Sequence, residues 1–216
     1  MKNNLLPVAK EGWNYIAGAV LLFLIFAFLD FGFLQFITFL ITLFFIFLFR
    51  NPEREHLHYQ ELSVISPVDG AVISIEELKE DEYAYKIEID GNYLNVSLLR
   101  TPFTSVVKDI EKQNGARLSP LQPLSKTINE NLELVFEDKN SNSIKILHRL
   151  KQSFMTIETE AKKSQNLYQG SRYGIMINGV TTLYLPQNFR LNISVGSELT
   201  ASQTLVGYFT SESSKK

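Results

Sequence analysis

The residue types that most often carry chemistry are scarce in this chain of 216 residues. It contains no cysteine, which excludes disulfides, thiolate catalysis and zinc sites built on cysteine. Two of its three histidines, His56 and His58, form a close pair, but two imidazoles supply at most half of a typical metal site. We therefore expect no metal, and we interpret the pair as part of a solvated linker.

A second group of chemically interesting residues lies in the stretch Ser171–Pro186, which follows the turn pair Gly170-Ser171. Two short apolar runs, Tyr173–Ile177 and Leu183–Leu185, lie on either side of Gly179. Apolar runs of this length around a glycine predict a hairpin of two strands. Composition alone does not indicate what such a hairpin does.

The overall charge argues against a nucleic-acid partner. The formal net charge is −2, and the lysines and arginines are scattered instead of forming a basic face. The length allows one domain of ordinary size plus an appendage.

The appendage is an apolar stretch, Ile16–Phe49, in which Asp30 is the only charged residue. As one helix it would be roughly 50 Å long, against a hydrocarbon core of about 30 Å. Two helices, Trp13–Leu29 and Phe33–Phe49, joined by a turn at Asp30-Phe31-Gly32, fit better. Each arm is short for a full crossing, so a shallow re-entrant hairpin is the alternative.

Basic residues flank this predicted hairpin, with Lys2 and Lys10 before it and Arg50 and Arg54 after it. The positive-inside rule then places both ends, and the domain that follows, on the cytoplasmic side of the inner membrane. Residues 1–54 would be the membrane anchor. The segment Arg50–Arg54 is either a simple stop and anchor or a lipid-headgroup site.

The remaining chain, residues 55–210, changes to short β-type runs separated by turn pairs such as Asp90-Gly91 and Asn114-Gly115. This density of short strands predicts a compact, mainly β domain of barrel or sandwich type. The polar tail 211–216 is predicted to be disordered. Besides the hairpin, the predicted strands are Val64–Ser66, Ala71–Ile75, Tyr83–Ile89, Tyr93–Leu99, Leu132–Phe136, Ile144–Leu147, Phe154–Ile157, Leu191–Val195 and Leu205–Phe209.

Several stretches, in order and over nearly the whole chain, resemble the short, membrane-anchored form of phosphatidylserine decarboxylase. Each stretch alone is weak, but their succession at the expected spacing is specific. They are Ala9-Lys10-Glu11-Gly12, Phe49–Arg54, Ser66–Val72, Thr101-Pro102-Phe103, Asn129-Glu130-Asn131, Arg172-Tyr173-Gly174, Leu183–Pro186 and Gly196 with Gly207.

The resemblance implies a self-processing enzyme. In that family a serine hydroxyl attacks the preceding carbonyl at a Gly-Ser bond, and the cut leaves a pyruvoyl ketone at the new N-terminus. The ketone forms a Schiff base with phosphatidylserine and withdraws electrons as CO₂ leaves. An Asp-Gly motif and a histidine assist the cut. The implied partners are a phospholipid membrane, phosphatidylserine, and either a second copy of the chain or other enzymes of lipid synthesis.

The matching residues of this chain are incomplete. Asp69 and Gly70 match the Asp-Gly motif. The resemblance places Val106 at the histidine and Gly179-Val180 at Gly-Ser, and the loop after the histidine is shortened to Lys108–Asn114. Valine has neither a hydroxyl to attack nor a route to a ketone. Asp-Gly is also a common turn pair, so Asp69 is either a catalytic or a turn residue.

Other hydroxyls could replace the missing serine. Gly170-Ser171 is the right dipeptide, although it aligns with a turn, and Ser171 is the candidate for a displaced cut. Thr181 and Thr182 do not follow a glycine, and Gly196-Ser197 matches a structural turn.

These observations favour a catalytically degenerate relative that binds an aminophospholipid or acts as an accessory protein, with no cofactor unless the chain is cut. The alternative is an active decarboxylase with a displaced cleavage site. A third alternative is a lipoyl- or biotinyl-type carrier, but this chain has no lysine at the tip of a glycine-rich hairpin. The family pattern places the lipid-binding residues at Thr104, Asn178, Gly179, Thr181 and Thr182.

Overall fold

The structure is a computed structural model that describes residues 6–54, 62–78 and 82–210. The chain divides into two compact units, residues 1–53 and 54–216. The histidine pair His56/His58 and the predicted disordered tail 211–216 lie outside the described residues.

The first unit consists of two apolar helices, α1 (Trp13–Phe28) and α2 (Gly32–Leu48), preceded by a short 3-10 turn, Lys10–Gly12. Asp30 turns the chain between them with φ of 58°. The two ends of the unit meet where the Ala9 N–H donates to the Phe49 carbonyl at 2.8 Å. Gly12 permits this approach, because a Cβ there would lie 2.3 Å from the Phe49 ring.

The helices present large apolar side chains to their surroundings, including Phe28 at 89% and Phe33 at 76% exposure. The segment Lys10–Phe28 is long and apolar enough to cross a membrane, and Gly32–Leu48 is shorter. Exposed apolar surface of this extent favours membrane association.

Strands are the main regular structure of the second unit. In its described residues one turn of helix, α3 (Ser125–Ile128), interrupts them. The strands in chain order are β1 (Ser63–Ile65), β2 (Gly70–Glu77), β3 (Tyr85–Asp90), β4 (Leu98–Arg100), β5 (Ser105–Gln113), β6 (Asn131–Glu137), β7 (Ser143–Leu150), β8 (Glu158–Thr159), β9 (Asn166–Leu167), β10 (Arg172–Ile175), β11 (Gly179–Leu185), β12 (Phe189–Leu191), β13 (Glu198–Leu199) and β14 (Leu205–Phe209).

These strands form three sheets. Eight strands make the largest, in the order β13-β2-β3-β11-β7-β6-β5-β9, and two three-stranded sheets have the orders β1-β14-β12 and β4-β10-β8. The predicted mainly β class with apolar N-terminal helices is confirmed, and the sheets are open, not closed into a barrel.

Strand β11 lies near the middle of the large sheet, between β3 and β7, and its side chains alternate between two faces. The core face carries Thr181 and Leu183, next to the buried Ile89 and Ile146 of the neighbouring strands. The outer face carries Val180, which pairs with Asp90 on β3 and with Arg149 on β7.

The predicted hairpin is wrong. Its two strands, β10 and β11, belong to different sheets: β10 pairs with β4 and β8, whereas β11 pairs with β3 and β7. The connection changes sheets because Asn178 adopts φ of 60° and Met176 donates its N–H to the Ser97 carbonyl. Period-two patterning identifies strands but does not choose their partners.

Four further assignments differ from the structure. Of the run Tyr93–Leu99 only the end is extended, of Leu191–Val195 only the first residue lies in a strand, and Phe154–Ile157 is not a strand. Conversely, Lys108–Asn114, expected as a shortened loop, lies almost wholly in β5, which pairs with β6 along its length. The exposed half of β5 is rich in charge, so it lacks the apolar alternation of a half-buried strand.

Candidate functional site

Asp69 is the best-connected side chain among the predicted site residues. Arg54 donates to both carboxylate oxygens, from Nη1 to Oδ1 and from Nη2 to Oδ2, each at 2.6 Å. Two backbone N–H groups complete the set, from Ala201 to Oδ1 at 2.8 Å and from Val96 to Oδ2 at 3.3 Å. Four donors around one carboxylate make Asp69 a structural clamp between distant segments.

This clamp changes the interpretation of Arg54. The Arg54 side chain is only 8% exposed, and its Nη1 also donates to the Ala201 carbonyl at 2.6 Å. Of the two alternatives for Arg50–Arg54, a stop and anchor or a lipid-headgroup site, the second does not fit Arg54, because a guanidinium held by a carboxylate and a carbonyl inside the β unit is not available to lipid.

Gly70 makes the clamp possible. It opens β2 with φ of 155°, and a Cβ there would lie 2.4 Å from the Asp90 carbonyl oxygen. Backbone this close admits only glycine without a shift of β3. The Asp69-Gly70 pair therefore places the carboxylate at the start of β2.

A small cavity adjoins Asp69. Its volume is about 20 Å³, and its lining includes Asp69, Ser97, Asn178, Gly179 and Thr181. A cavity of this size holds about one water. Three of the predicted lipid-binding residues are therefore brought together beside Asp69, in a space far smaller than a phospholipid headgroup.

Val180 does not line this cavity. It lies on the outer face of the large sheet, opposite Arg149 and Asp90, and borders a different cavity on that side. Thr181, one residue later, is on the core face and lines the Asp69 cavity. Position 180 therefore presents its side chain away from Asp69.

A buried polar network lies next to Thr181. His148 on β7 has its Nδ1 2.8 Å from Thr181 Oγ1 and its Nε2 2.6 Å from Tyr173 Oη. All three residues are fully buried. Burial lowers the pKa of His148 to about 3, because the imidazolium would lose its hydration, and burial also raises the pKa of the Tyr173 phenol. The imidazole is therefore neutral and the phenol protonated near pH 7.

The remaining predicted site residues lie elsewhere. Thr104 and Val106 border a larger cavity of about 390 Å³ formed by other strands. The resemblance places Val106 at the histidine position, but Val106 pairs with Glu137 on β6 and does not line the cavity beside Asp69. Ser97 does line that cavity. Thr182 is buried and lines none of these three cavities.

Ser171 has the contacts of a turn residue. Its Oγ donates to the Tyr168 carbonyl at 2.6 Å, and its own carbonyl accepts from the Thr101 N–H at 2.8 Å. Gly170 has φ of 76°, which suits the turn before β10. The structure does not bring Ser171 into the Asp69 cavity.

Sequence reasoning missed three contributors to the site. Arg54 was visible only as part of a basic flank, and Ser97 has no distinguishing neighbours in the sequence. His148 carried a usable signal, since it occupies an apolar position of the alternating run Ser143–Leu150. A histidine at a core position of a strand indicates a buried polar network.

Comparison with known proteins gives a consistent result. The family model described as phosphatidylserine decarboxylase matches residues 41–207. A protein of Geobacter metallireducens named phosphatidylserine decarboxylase proenzyme is 32% identical over 216 residues, which cover 96% of this chain and 99% of the relative. A protein of the same name from Geotalea daltonii is 30% identical over 214 residues, with 97% of this chain and 100% of the relative covered.

Proposed function

Because this chain belongs to the phosphatidylserine decarboxylase family, we propose that it is an uncut, catalytically degenerate member that binds an aminophospholipid headgroup at the membrane. The proposal rests on Val180, which the family resemblance places at the position of the attacking serine. It has no hydroxyl, and its side chain lies on the outer face of the sheet, away from Asp69.

The environment of Asp69 supports the same conclusion. A carboxylate that assists proton transfer needs a free lone pair directed at the reacting group. Both oxygens of Asp69 already accept from Arg54 and from backbone N–H groups. Asp69 therefore acts as a structural residue that joins distant segments of this chain.

The predicted lipid contacts at Asn178, Gly179 and Thr181 remain predictions. The cavity that they line has room for about one water, so a headgroup would reach them only at its mouth. We place the β unit on the cytoplasmic side of the inner membrane, on the basis of Lys2, Lys10 and Arg50 at the ends of the apolar helices.

A second candidate function is favoured by one contact. The Thr181 hydroxyl lies 2.8 Å from a His148 nitrogen, which is the arrangement of a nucleophile and its base. A cut before Thr181, or before Ser171, would restore an enzyme with a self-derived ketone. The low pKa of His148, about 3, makes it a weak base for this task.

The intact mass of the purified, detergent-solubilised chain tests the first proposal against the second. We expect one species at 24.7 kDa for the wild type. We expect the Val180→Ser variant to remain uncut as well, because a hydroxyl at position 180 would lie on the outer face, away from Asp69.

Two fragments would contradict the degenerate reading. If the smaller fragment began at Thr181 or Ser171 and resisted N-terminal sequencing, the variants Thr181→Val and Ser171→Ala would identify the cut, since only one of them should abolish it. If Val180→Ser is cut and the wild type is not, the missing serine is the only change that prevents self-cleavage.

Headgroup binding is measured on the same detergent-solubilised chain with short-chain lipids. We expect binding of phosphatidylserine to exceed that of phosphatidylcholine, with phosphatidylethanolamine as the test for recognition of the amine. Equal binding of all three would contradict an aminophospholipid-binding role and leave the accessory role, in which the chain associates with a second copy or with other enzymes of lipid synthesis.

A further inference from the structure

The outer face of the large sheet carries a second cavity, on the side to which Val180 points. Its volume is about 220 Å³, and its lining combines the apolar residues Ile73, Leu150 and Val180 with charged ones. This volume is roughly ten times that of the cavity beside Asp69. It is large enough for a small anion or part of a headgroup.

Arg149 is the charged residue that most needs a ligand there. Its Nε is buried and has no hydrogen-bond partner. Within residues 6–54, 62–78 and 82–210 the guanidinium forms no ion pair either. Leaving a buried donor unpaired destabilises a protein, so a site that keeps one usually uses it.

The other charges of the cavity leave an excess of positive charge. Lys151 is paired with Asp90 at 2.6 Å, and Glu88 is paired with Lys86 at 3.1 Å and accepts from Ser74 at 3.4 Å. Lys126 also lines the cavity and, in the described part of the chain, has no acidic partner.

We propose that this outer-face cavity binds a phosphate-bearing anion, with Arg149 as the principal ligand and Lys126 as the second cation. A planar guanidinium matches two phosphate oxygens, and the apolar wall lowers the local dielectric and strengthens the contact. The inference rests on the proposed lipid-binding function, because a phospholipid headgroup carries this chemistry. Free phosphate carries it too.

The test uses the full chain in phosphatidylcholine nanodiscs, titrated with glycerophosphoserine and with inorganic phosphate. Arg149→Met keeps the length of the side chain and removes the guanidinium. Arg190→Met, at an exposed position of β12 and outside the cavity, is the matched control for the change of charge. We expect Arg149→Met to weaken binding about tenfold or more, and the control to bind within about twofold of wild type.

Thermal unfolding without ligand separates lost binding from lost folding. Because Arg149→Met removes an unpaired buried donor, the variant should melt at the wild-type temperature or above it. Added glycerophosphoserine should then raise the melting temperature of wild type and Arg190→Met but not of Arg149→Met.

Each outcome has a distinct meaning. Tighter binding of glycerophosphoserine than of phosphate supports the site and assigns it to a headgroup; equal binding supports the site and assigns it to a free anion. If Arg149→Met binds glycerophosphoserine as wild type does, or if Asn178→Ala loses this binding instead, the outer-face site is overturned, while the proposal that the chain binds lipid still stands. If wild type binds neither probe, the site is overturned, and short-chain phosphatidylserine then decides separately whether the chain binds lipid.

Discussion

Replacing Asp69 by asparagine is expected to lower the free energy of unfolding by about 3–5 kcal/mol, the usual cost of removing one partner of a buried ion pair. The side chains of Asp69 and Arg54 are 12% and 8% exposed, and both oxygens of the carboxylate are used. The asparagine would turn an NH₂ group toward a guanidinium and leave a buried positive charge uncompensated. Urea unfolding of the full chain in non-ionic detergent, followed by circular dichroism, measures the loss.

A surface pair provides the control. Asp109 and Lys163 form an ion pair at 2.8 Å with side chains 61% and 65% exposed. We expect Asp109→Asn to have almost no effect, because solvent screens such a pair. If Asp69→Asn were as stable as Asp109→Asn, Asp69 would not be a structural clamp, and the case for a catalytic carboxylate would reopen.

Acid is expected to destabilise the β unit through His148. The pKa of this group is about 3 in the folded protein, against 6.5 ordinarily. Below pH 6.5 His148 is therefore protonated in the unfolded chain but stays neutral in the folded protein, so the free energy of unfolding falls as the pH falls. Over the whole interval the loss is on the order of 5 kcal/mol, of which about 2 kcal/mol falls between pH 7 and pH 5.

The upper part of this interval isolates the histidine. Burial raises the pKa of the Glu130 carboxyl, but hydrogen bonds from Thr156 and Ile157 outweigh burial and lower the pKa overall. The stability that such carboxylates contribute is therefore lost only at lower pH. We therefore compare unfolding free energies at pH 7 and pH 5. In His148→Gln, which keeps hydrogen-bonding capacity but does not titrate, the free energy of unfolding should be almost the same at pH 7 and pH 5. A double variant of His56 and His58 to glutamine should keep it; a slope that follows those two residues would refute the assignment.

Much of the fold could be predicted from the sequence because its causes are local. The length of the apolar stretch Ile16–Phe49, with Asp30 and Gly32 near its middle, indicates two helices and a turn. Period-two alternation identifies β3, β6 and β7. Strand partners could not be predicted, because they depend on contacts distant in sequence. The false hairpin of β10 and β11 illustrates this: adjacent in the chain, they separate at Asn178 into two sheets.

The site was predictable in part for the same reason. Asp69, Gly179 and Thr181 come together as the motifs suggested. Motif counting does not reveal the face on which Val180 lies, because a shift of one residue along a strand moves a side chain to the other face. The partners of Asp69 and of His148 are remote in sequence: Arg54 and Ala201 for Asp69, and Tyr173 for His148.

The clamp around Asp69 has a consequence for synthesis on the ribosome. Arg54 leaves the exit tunnel early, yet its carbonyl acceptor on Ala201 follows 147 residues later, and the Ala201 N–H joins Asp69 across 132 residues. Closure across such separations is slow, and it cannot begin before nearly all of the chain has emerged. Until Ala201 has been made, Asp69 has only Arg54 and the Val96 N–H as partners, so the β unit of a nascent chain is completed last, after the apolar helices have been made.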